Sequence, residues 1–385
     1  MALLPLVTAC DLGDTNIGQL PASYNSAKGQ QSCPTWDVAM IEEDDEQTPA
    51  HAILSLSDGM LLGGAPTSSA LTRLDASGQE VWSVELGTPG LDFIANIETE
   101  PGGDYVVAMH RQDPVAPYDK HLWIGAVSDN GQLQWESVLG AAHMIAGMQA
   151  DIQIHPAGGY VVSWHSGKDG NSVLELERTD DSGTPLWGTS YPLTADSMVA
   201  YNWSKGAMDL LPNGDILQLT AQGDGLRLVR TTPNGGMVSD VAIPQPRLWP
   251  QELTVLPDGR VFVLGNDSTQ QSGVATLLEV EPDGTIIATH EYSAGEDPFL
   301  TSMHWNDAAG RLLLSGTTRN SAEDQQRQWH LAVDAEGIET WSYFDEQDSI
   351  GSDLNDISAT PDGGFITTLH GESLRVMELA SVACP

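Results

Sequence analysis

Leu74-Asp75-Ala76-Ser77-Gly78-Gln79-Glu80-Val81-Trp82 joins a tight turn to a tryptophan: an acid, a glycine three residues on, and a Trp four residues after the glycine. The Gly-to-Trp spacing returns at Gly131 and Trp135, Gly183 and Trp187, and Gly337 and Trp341. A second turn alternates with it. It is written Ser57-Asp58-Gly59, Pro101-Gly102-Gly103, Pro156-Ala157-Gly158-Gly159, Pro212-Asn213-Gly214, Pro257-Asp258-Gly259, Ala308-Ala309-Gly310 and Pro361-Asp362-Gly363-Gly364. Apolar runs such as Tyr105-Val106-Val107-Ala108-Met109 follow these turns. Gly, Asn and Asp between short apolar runs are hairpin signals. Two hairpin signals in alternation, recurring every ~45 to 55 residues, mark a repeat of four strands.

A four-stranded antiparallel unit cannot cover both its faces, and a ring of such units can. Seven turns of the second kind predict seven units. The fold expected is all-β, a seven-bladed β-propeller of four-stranded antiparallel blades. The last unit runs out of chain after Leu374-Arg375-Val376-Met377-Glu378-Leu379. Pro34-Thr35-Trp36-Asp37-Val38-Ala39-Met40-Ile41 carries the Trp of a fourth strand and precedes the first hairpin. The N-terminal strand is therefore expected to complete the last blade, which protects a sheet edge. The propeller is expected over 33–385, after a segment 1–10 and a tether 11–32 that lacks apolar periodicity.

The chain of 385 residues carries 54 acids against 15 Lys and Arg, a formal net charge of -39. Such a surface repels phosphate backbones, which excludes nucleic acid as a partner. The N-terminal run Met1 to Cys10 ends in Val7-Thr8-Ala9-Cys10, which resembles a bacterial lipobox, although no Lys or Arg precedes the run. That resemblance implies that 1–10 is a lipoprotein-type signal segment, cut before Cys10, with export, lipid attachment at Cys10 and a membrane anchor. The other two cysteines, Cys33 and Cys384, fall near one turn when the last unit is laid over the first. They are expected to form a disulfide joining the two ends, which suits an oxidising compartment.

The phrase Leu-Asp-x-x-Gly-x-x-x-Trp resembles the repeats of PQQ-like β-propellers over most of 33–385. That group includes quinoprotein dehydrogenases and BamB-type envelope assembly lipoproteins. The resemblance implies the architecture and a packing role for Trp82, Trp135, Trp187 and Trp341 between blades. The quinoprotein branch typically carries adjacent cysteines, and none occur in this chain. No cofactor and no metal site is expected.

Neither a His-Glu-x-x-His run, nor a phosphate loop, nor a Gly-x-Ser-x-Gly elbow is present. His110, His165 and His370 each end a second strand and are read as strand-end polar residues. The longest connections, Arg111 to His121, Gly140 to Met148, Pro192 to Ser204 and Thr317 to Trp329, are expected on one rim, where binding residues collect. The candidate binding rim is His110, Tyr118, Trp164, His165, Tyr201, Trp203, Trp249, Trp305 and His370, with no catalytic residue assigned. The expected function is a non-catalytic, exported and membrane-anchored scaffold at the bacterial cell envelope, binding a protein or glycan. The alternatives are a polysaccharide-directed lyase or hydrolase, and a BamB-like subunit of an envelope assembly.

Overall fold

The computed structural model describes residues 4–6, 32–40, 52–64, 67–89, 92–112, 120–140, 150–168, 171–193, 207–222, 225–245, 248–267, 274–294, 296–320, 325–345, 356–370 and 374–383. They form an all-β propeller of antiparallel sheets. Blade 1 contains Ala52–Leu56, Gly59–Gly63, Ala70–Asp75 and Glu80–Glu85, paired in chain order. Blade 2 begins at Phe93–Thr99, blade 3 at Ala150–Ile154, blade 4 at Met208–Leu210, blade 5 at Leu248–Val255 and blade 6 at Glu296–Asn306. Each of these strands is the innermost of four sequential, hydrogen-bonded neighbours.

Six blades, not seven, have four strands. The remaining sheet, here the terminal sheet, has five: Leu4–Leu6, Ser32–Met40, Leu374–Ala383, Phe365–His370 and Ile357–Ala359, in that spatial order. The extra strand is the apolar run of the N-terminal segment, whose Leu4 to Leu6 pair antiparallel with Ala39 to Asp37. A short run without charge offers backbone groups that an unpaired edge can accept, and the turn count could not register it. Ser32–Met40 lies against Leu374–Ala383, with Trp36 opposite Glu378 and Ser32 opposite Ala383.

The apolar core is a series of layers between consecutive sheets. Leu61 of blade 1 clusters with Ile94 and Trp123 of blade 2. Val106 and Ile124 of blade 2 cluster with Ile152 and Trp164 of blade 3. Similar clusters join blades 3 and 4, 4 and 5, and 5 and 6. Leu313 and Trp341 of blade 6 cluster with Phe365 of the terminal sheet. A strand covered on both faces reads as an unbroken apolar run, and Tyr105 to His110 is buried throughout. The outermost strand of blade 1, Glu80–Glu85, alternates between exposed and half-buried instead.

The opening phrase proves to be a joint between blades. Asp75 Oδ1 accepts from the main-chain N–H groups of Ser77 (2.8 Å) and Gln79 (3.0 Å), which fixes the turn. The indole N–H of Trp82 then donates to the Asp129 carbonyl in the corresponding turn of blade 2, at 2.8 Å. Trp187 reaches the Pro233 carbonyl of blade 4 in the same way, at 3.0 Å. Gly131 is the seat of the Trp82 ring: its φ is +81°, and a Cβ there would lie 2.9 Å from the indole. Gly131→Ala should therefore cost about 1 to 2 kcal/mol in urea unfolding, from a left-handed backbone and a displaced ring together. Gly102→Ala is the control, because a Cβ there meets no atom within 4 Å.

Candidate functional site

Counting back from the turn glycines locates a polar lining that the Trp phrase conceals. Seven residues before Gly103, Gly158, Gly259 and Gly363 stand Asn96, Asp151, Glu252 and Asp356. Five residues before Gly103, Gly158, Gly214, Gly259 and Gly363 stand Glu98, Gln153, Asp209, Thr254 and Ser358. A step of two keeps both sets on one face of an extended strand. These residues line a central cavity of about 600 Å³ to which all six blades and the terminal sheet contribute. Blade 6 adds His304, Trp305 and Asp307. No Lys or Arg lines the cavity among the described residues.

Four of the acids are occupied in a regular way, whereas Glu98 Oε1 accepts from the Gln153 side-chain amide at 3.5 Å. Asp151 Oδ2 accepts the Met208 N–H of blade 4 at 3.0 Å. Asp209 Oδ2 accepts the Val255 N–H of blade 5 at 2.6 Å and, more weakly, the Thr254 hydroxyl at 3.4 Å. Glu252 Oε2 accepts the Met303 N–H of blade 6 at 2.6 Å. Asp356 Oδ2 accepts the Ile53 N–H of blade 1 at 2.9 Å, and the Ser358 hydroxyl accepts the Ser55 N–H at 2.9 Å. In all five pairs the acceptor belongs to one sheet and the amide to the innermost strand of its neighbour. A buried N–H left without an acceptor costs about 1 to 3 kcal/mol, so these carboxylates complete the backbone of the cavity wall.

Burial, reinforced at Glu98 and Asp151 by like charge, changes their protonation. Burial, with the Asp209 and Asp356 carboxylates nearby, pushes Glu98 up to about 8. Burial also raises Asp151 well above the usual carboxylate range, against the Met208 amide, which lowers it. Asp209 is pushed up to about 6 by burial, partly offset by the Val255 amide. These groups remain half-buried and face the cavity.

Among the described residues, the rim residues expected from sequence do not assemble into one site. Trp164 is a core side chain between blades 2 and 3. His110 is buried opposite Phe93. His165 is buried with Nε2 3.4 Å from Thr220 Oγ1, and burial pushes its pKa down to about 4, so it is neutral at pH 7. His370 ends the strand Phe365–His370, opposite Leu374. Trp249, half-buried, sits near the start of its innermost strand, opposite Asn266 near the end of the second strand. Trp305 sits near the end of its innermost strand, opposite Leu312 near the start of the second, so it belongs to the opposite mouth of the cavity. Nearness to long connections in the sequence puts the loop aromatics on one rim. Strand direction separates these two. Tyr118, Tyr201, Trp203, Cys10 and Cys384 lie outside the described residues, and Cys33 lies within Ser32–Met40.

Among the described residues, no group of three or more His, Cys, Asp or Glu side chains is arranged to hold a metal ion. The buried Ser315 and His330 pair, 2.9 Å apart from Oγ to Nδ1, resembles a nucleophile and base only in composition. Both side chains are fully buried, and burial holds His330 down at about 3.

No protein-family model matches the chain, and no curated protein matches it. Solved structures resemble the chain at low identity. KlHsv2 with loop 6CD replaced by a Gly-Ser linker is 13% identical, covering 84% of this chain and 90% of that one, at a TM-score of 0.48. A glucose dehydrogenase is 11% identical over 91% of this chain and 100% of that one, at 0.45. A luciferin-regenerating enzyme is 9% identical over 80% and 95%, at 0.43.

Proposed function

We propose that the protein is a non-catalytic binding scaffold of the bacterial cell envelope, exported and held at the membrane through lipid on Cys10. The observation that carries this reading is the engagement of the cavity acids. General acid–base chemistry needs a carboxyl whose oxygen is aimed at a reacting group within ~2.6 to 3.2 Å. In this cavity Asp151, Asp209, Glu252 and Asp356 are instead turned onto main-chain amides of the adjacent sheet. The buried, neutral His165 and His330 offer no accessible base. The partner is a protein or glycan met at the loop-bearing rim near Trp249. The net charge of -39 favours a basic partner and a salt-sensitive encounter.

In this reading cleavage before Cys10 removes the Leu4–Leu6 strand, and the four strands left in the terminal sheet take the place of a further blade and close the ring between blades 6 and 1. The pairing of Ser32–Met40 with Leu374–Ala383 and the bond from Ile53 to Asp356 support it. A Cys33–Cys384 disulfide would then secure the seam, and the pairing of Ser32 with Ala383 supports that proximity. A peptide carrying that bridge should appear in non-reducing mass spectrometry of exported protein; two free thiols would refute it.

The functional test uses the lipidated protein in solubilised envelope. A stoichiometric partner should co-purify, and Trp249→Ala should weaken its retention at least tenfold. Turnover by the purified protein on a panel of envelope glycans would overturn the non-catalytic reading in favour of a lyase or hydrolase.

A further inference from the structure

We propose that the wall of the central cavity is a proton-sensitive seam: while Glu98 keeps its proton the neighbouring sheets stay clasped, and when Glu98 ionises among the clasping carboxylates, like-charge repulsion lets the sheets part. The geometry consists of four clasps, Asp151 to Met208, Asp209 to Val255, Glu252 to Met303 and Asp356 to Ile53, each crossing from one sheet to the next. Breaking them would separate innermost strands while leaving the ladders inside each blade intact. The device concerns the cavity wall and is independent of whether a partner binds at the rim.

The charges facing the clasps are almost all of one sign. Around Glu98 stand Asp151 from blade 3, Asp209 from blade 4 and Asp356 from the terminal sheet, while blade 1 presents Leu54. Asp151 faces Glu98, Asp209 and Glu252. Blade 6 contributes Asp307 and a single histidine, His304. Ionising this set places like charges across a confined space, where they interact more strongly than in bulk water. Burial and those neighbours hold the Glu98 proton to about pH 8, so the repulsion becomes complete only in mildly alkaline solution.

Hydrogen exchange followed by mass spectrometry on the intact protein tests the seam. Rates at pH 6 and pH 9 are converted to protection factors, which removes the intrinsic base catalysis of exchange. Protection of peptides covering Ile53, Met208, Val255 and Met303 should fall about tenfold from pH 6 to pH 9, while the second strand Tyr105–Gln112 of blade 2 keeps its protection. Glu98→Gln should remove most of that fall, and Glu80→Gln, on the exposed outer strand, should leave it unchanged. The proposal is overturned by equal protection at the two pH values. It is equally overturned by a fall shared by every strand, which is whole-surface repulsion, or by a Glu98→Gln response identical to wild type.

Discussion

Trp341→Ala should lower the free energy of unfolding by about 3 to 5 kcal/mol, the range for emptying a buried aromatic site. Trp341 is 3% exposed and lies on Phe365 with ring centroids 5.3 Å apart and planes 8° from parallel. It belongs to the last outer strand of blade 6, and Phe365 belongs to the terminal sheet. The substitution therefore removes both apolar burial and the stacked ring that joins the final blade to the sheet of the chain ends. Trp82 occupies the same place in its repeat but is only half-buried. Trp82→Ala should cost less, about 1 to 2 kcal/mol, mostly through the lost bond to the Asp129 carbonyl and partial packing. Urea unfolding of the two variants in parallel measures the difference. Equal losses would mean that the blade 6 joint is no tighter than the others.

Glu98→Gln should stabilise the protein at pH 9, by about 2 kcal/mol once screening by cavity solvent is allowed for. It should have little effect at pH 4. Glu98 has an ordinary value of 4.5 and is held up at about 8 in the folded protein by burial and the acids around it. The folded state thus keeps a proton that the unfolded chain has released. That contribution is fully present below pH 4.5 and is lost as pH rises through 8. Asp209 adds a change of the same sign between 3.8 and about 6. The expected pH profile of wild type declines from mildly acidic to alkaline solution, and the variant's profile is flatter. A profile of Glu98→Gln that runs parallel to wild type would remove the cavity acids as the cause.

Acids on the outer surface act in the opposite sense at the acidic end. The Arg227 guanidinium holds Asp240 below the usual carboxylate range, and the Ser77 hydroxyl does so for Asp75. Such groups contribute stability above pH 3.8 that is lost as pH falls through their lowered folded values. The two populations place the stability maximum in the mildly acidic range, on the acid side of neutrality.

The turns were legible because their chemistry is local. Asp75, Gly78 and Trp82 specify a hairpin and its docking partner within nine residues, and the same arrangement repeats around Asp180, Gly183 and Trp187. Blade 5 carries no Trp at that place, and His290 packs against Gly337 of blade 6 instead. There the docking holds with a different side chain, which the spacing alone does not reveal. The terminal sheet was legible in its main pairing but not in its size, because three residues, Leu4 to Leu6, are too short for any periodicity. The cavity acids escaped notice because they are scattered among 54 acids with no shared neighbours in sequence. Their signal is an offset of five or seven residues from the turn glycines, visible only when repeats are aligned on those glycines rather than on Trp. Two of the rim residues were placed wrongly for the converse reason. Trp164 and Trp305 stand near loops in sequence, but packing takes the first into the core and strand direction takes the second to the far mouth.

The account rests most heavily on the claim that cavity carboxylates serve the backbone of the adjacent sheet. Urea unfolding at pH 8 of Asp209→Asn and Asp209→Ala tests it most directly. Asn keeps an oxygen for the Val255 amide and sheds a charge, but its NH2 replaces the Oδ1 that accepts the Leu210 N–H at 2.7 Å, so it should stay within about 1 kcal/mol of wild type. Ala strands that amide and should lose about 1 to 3 kcal/mol relative to Asn. An Ala variant as stable as the Asn variant would contradict the claim.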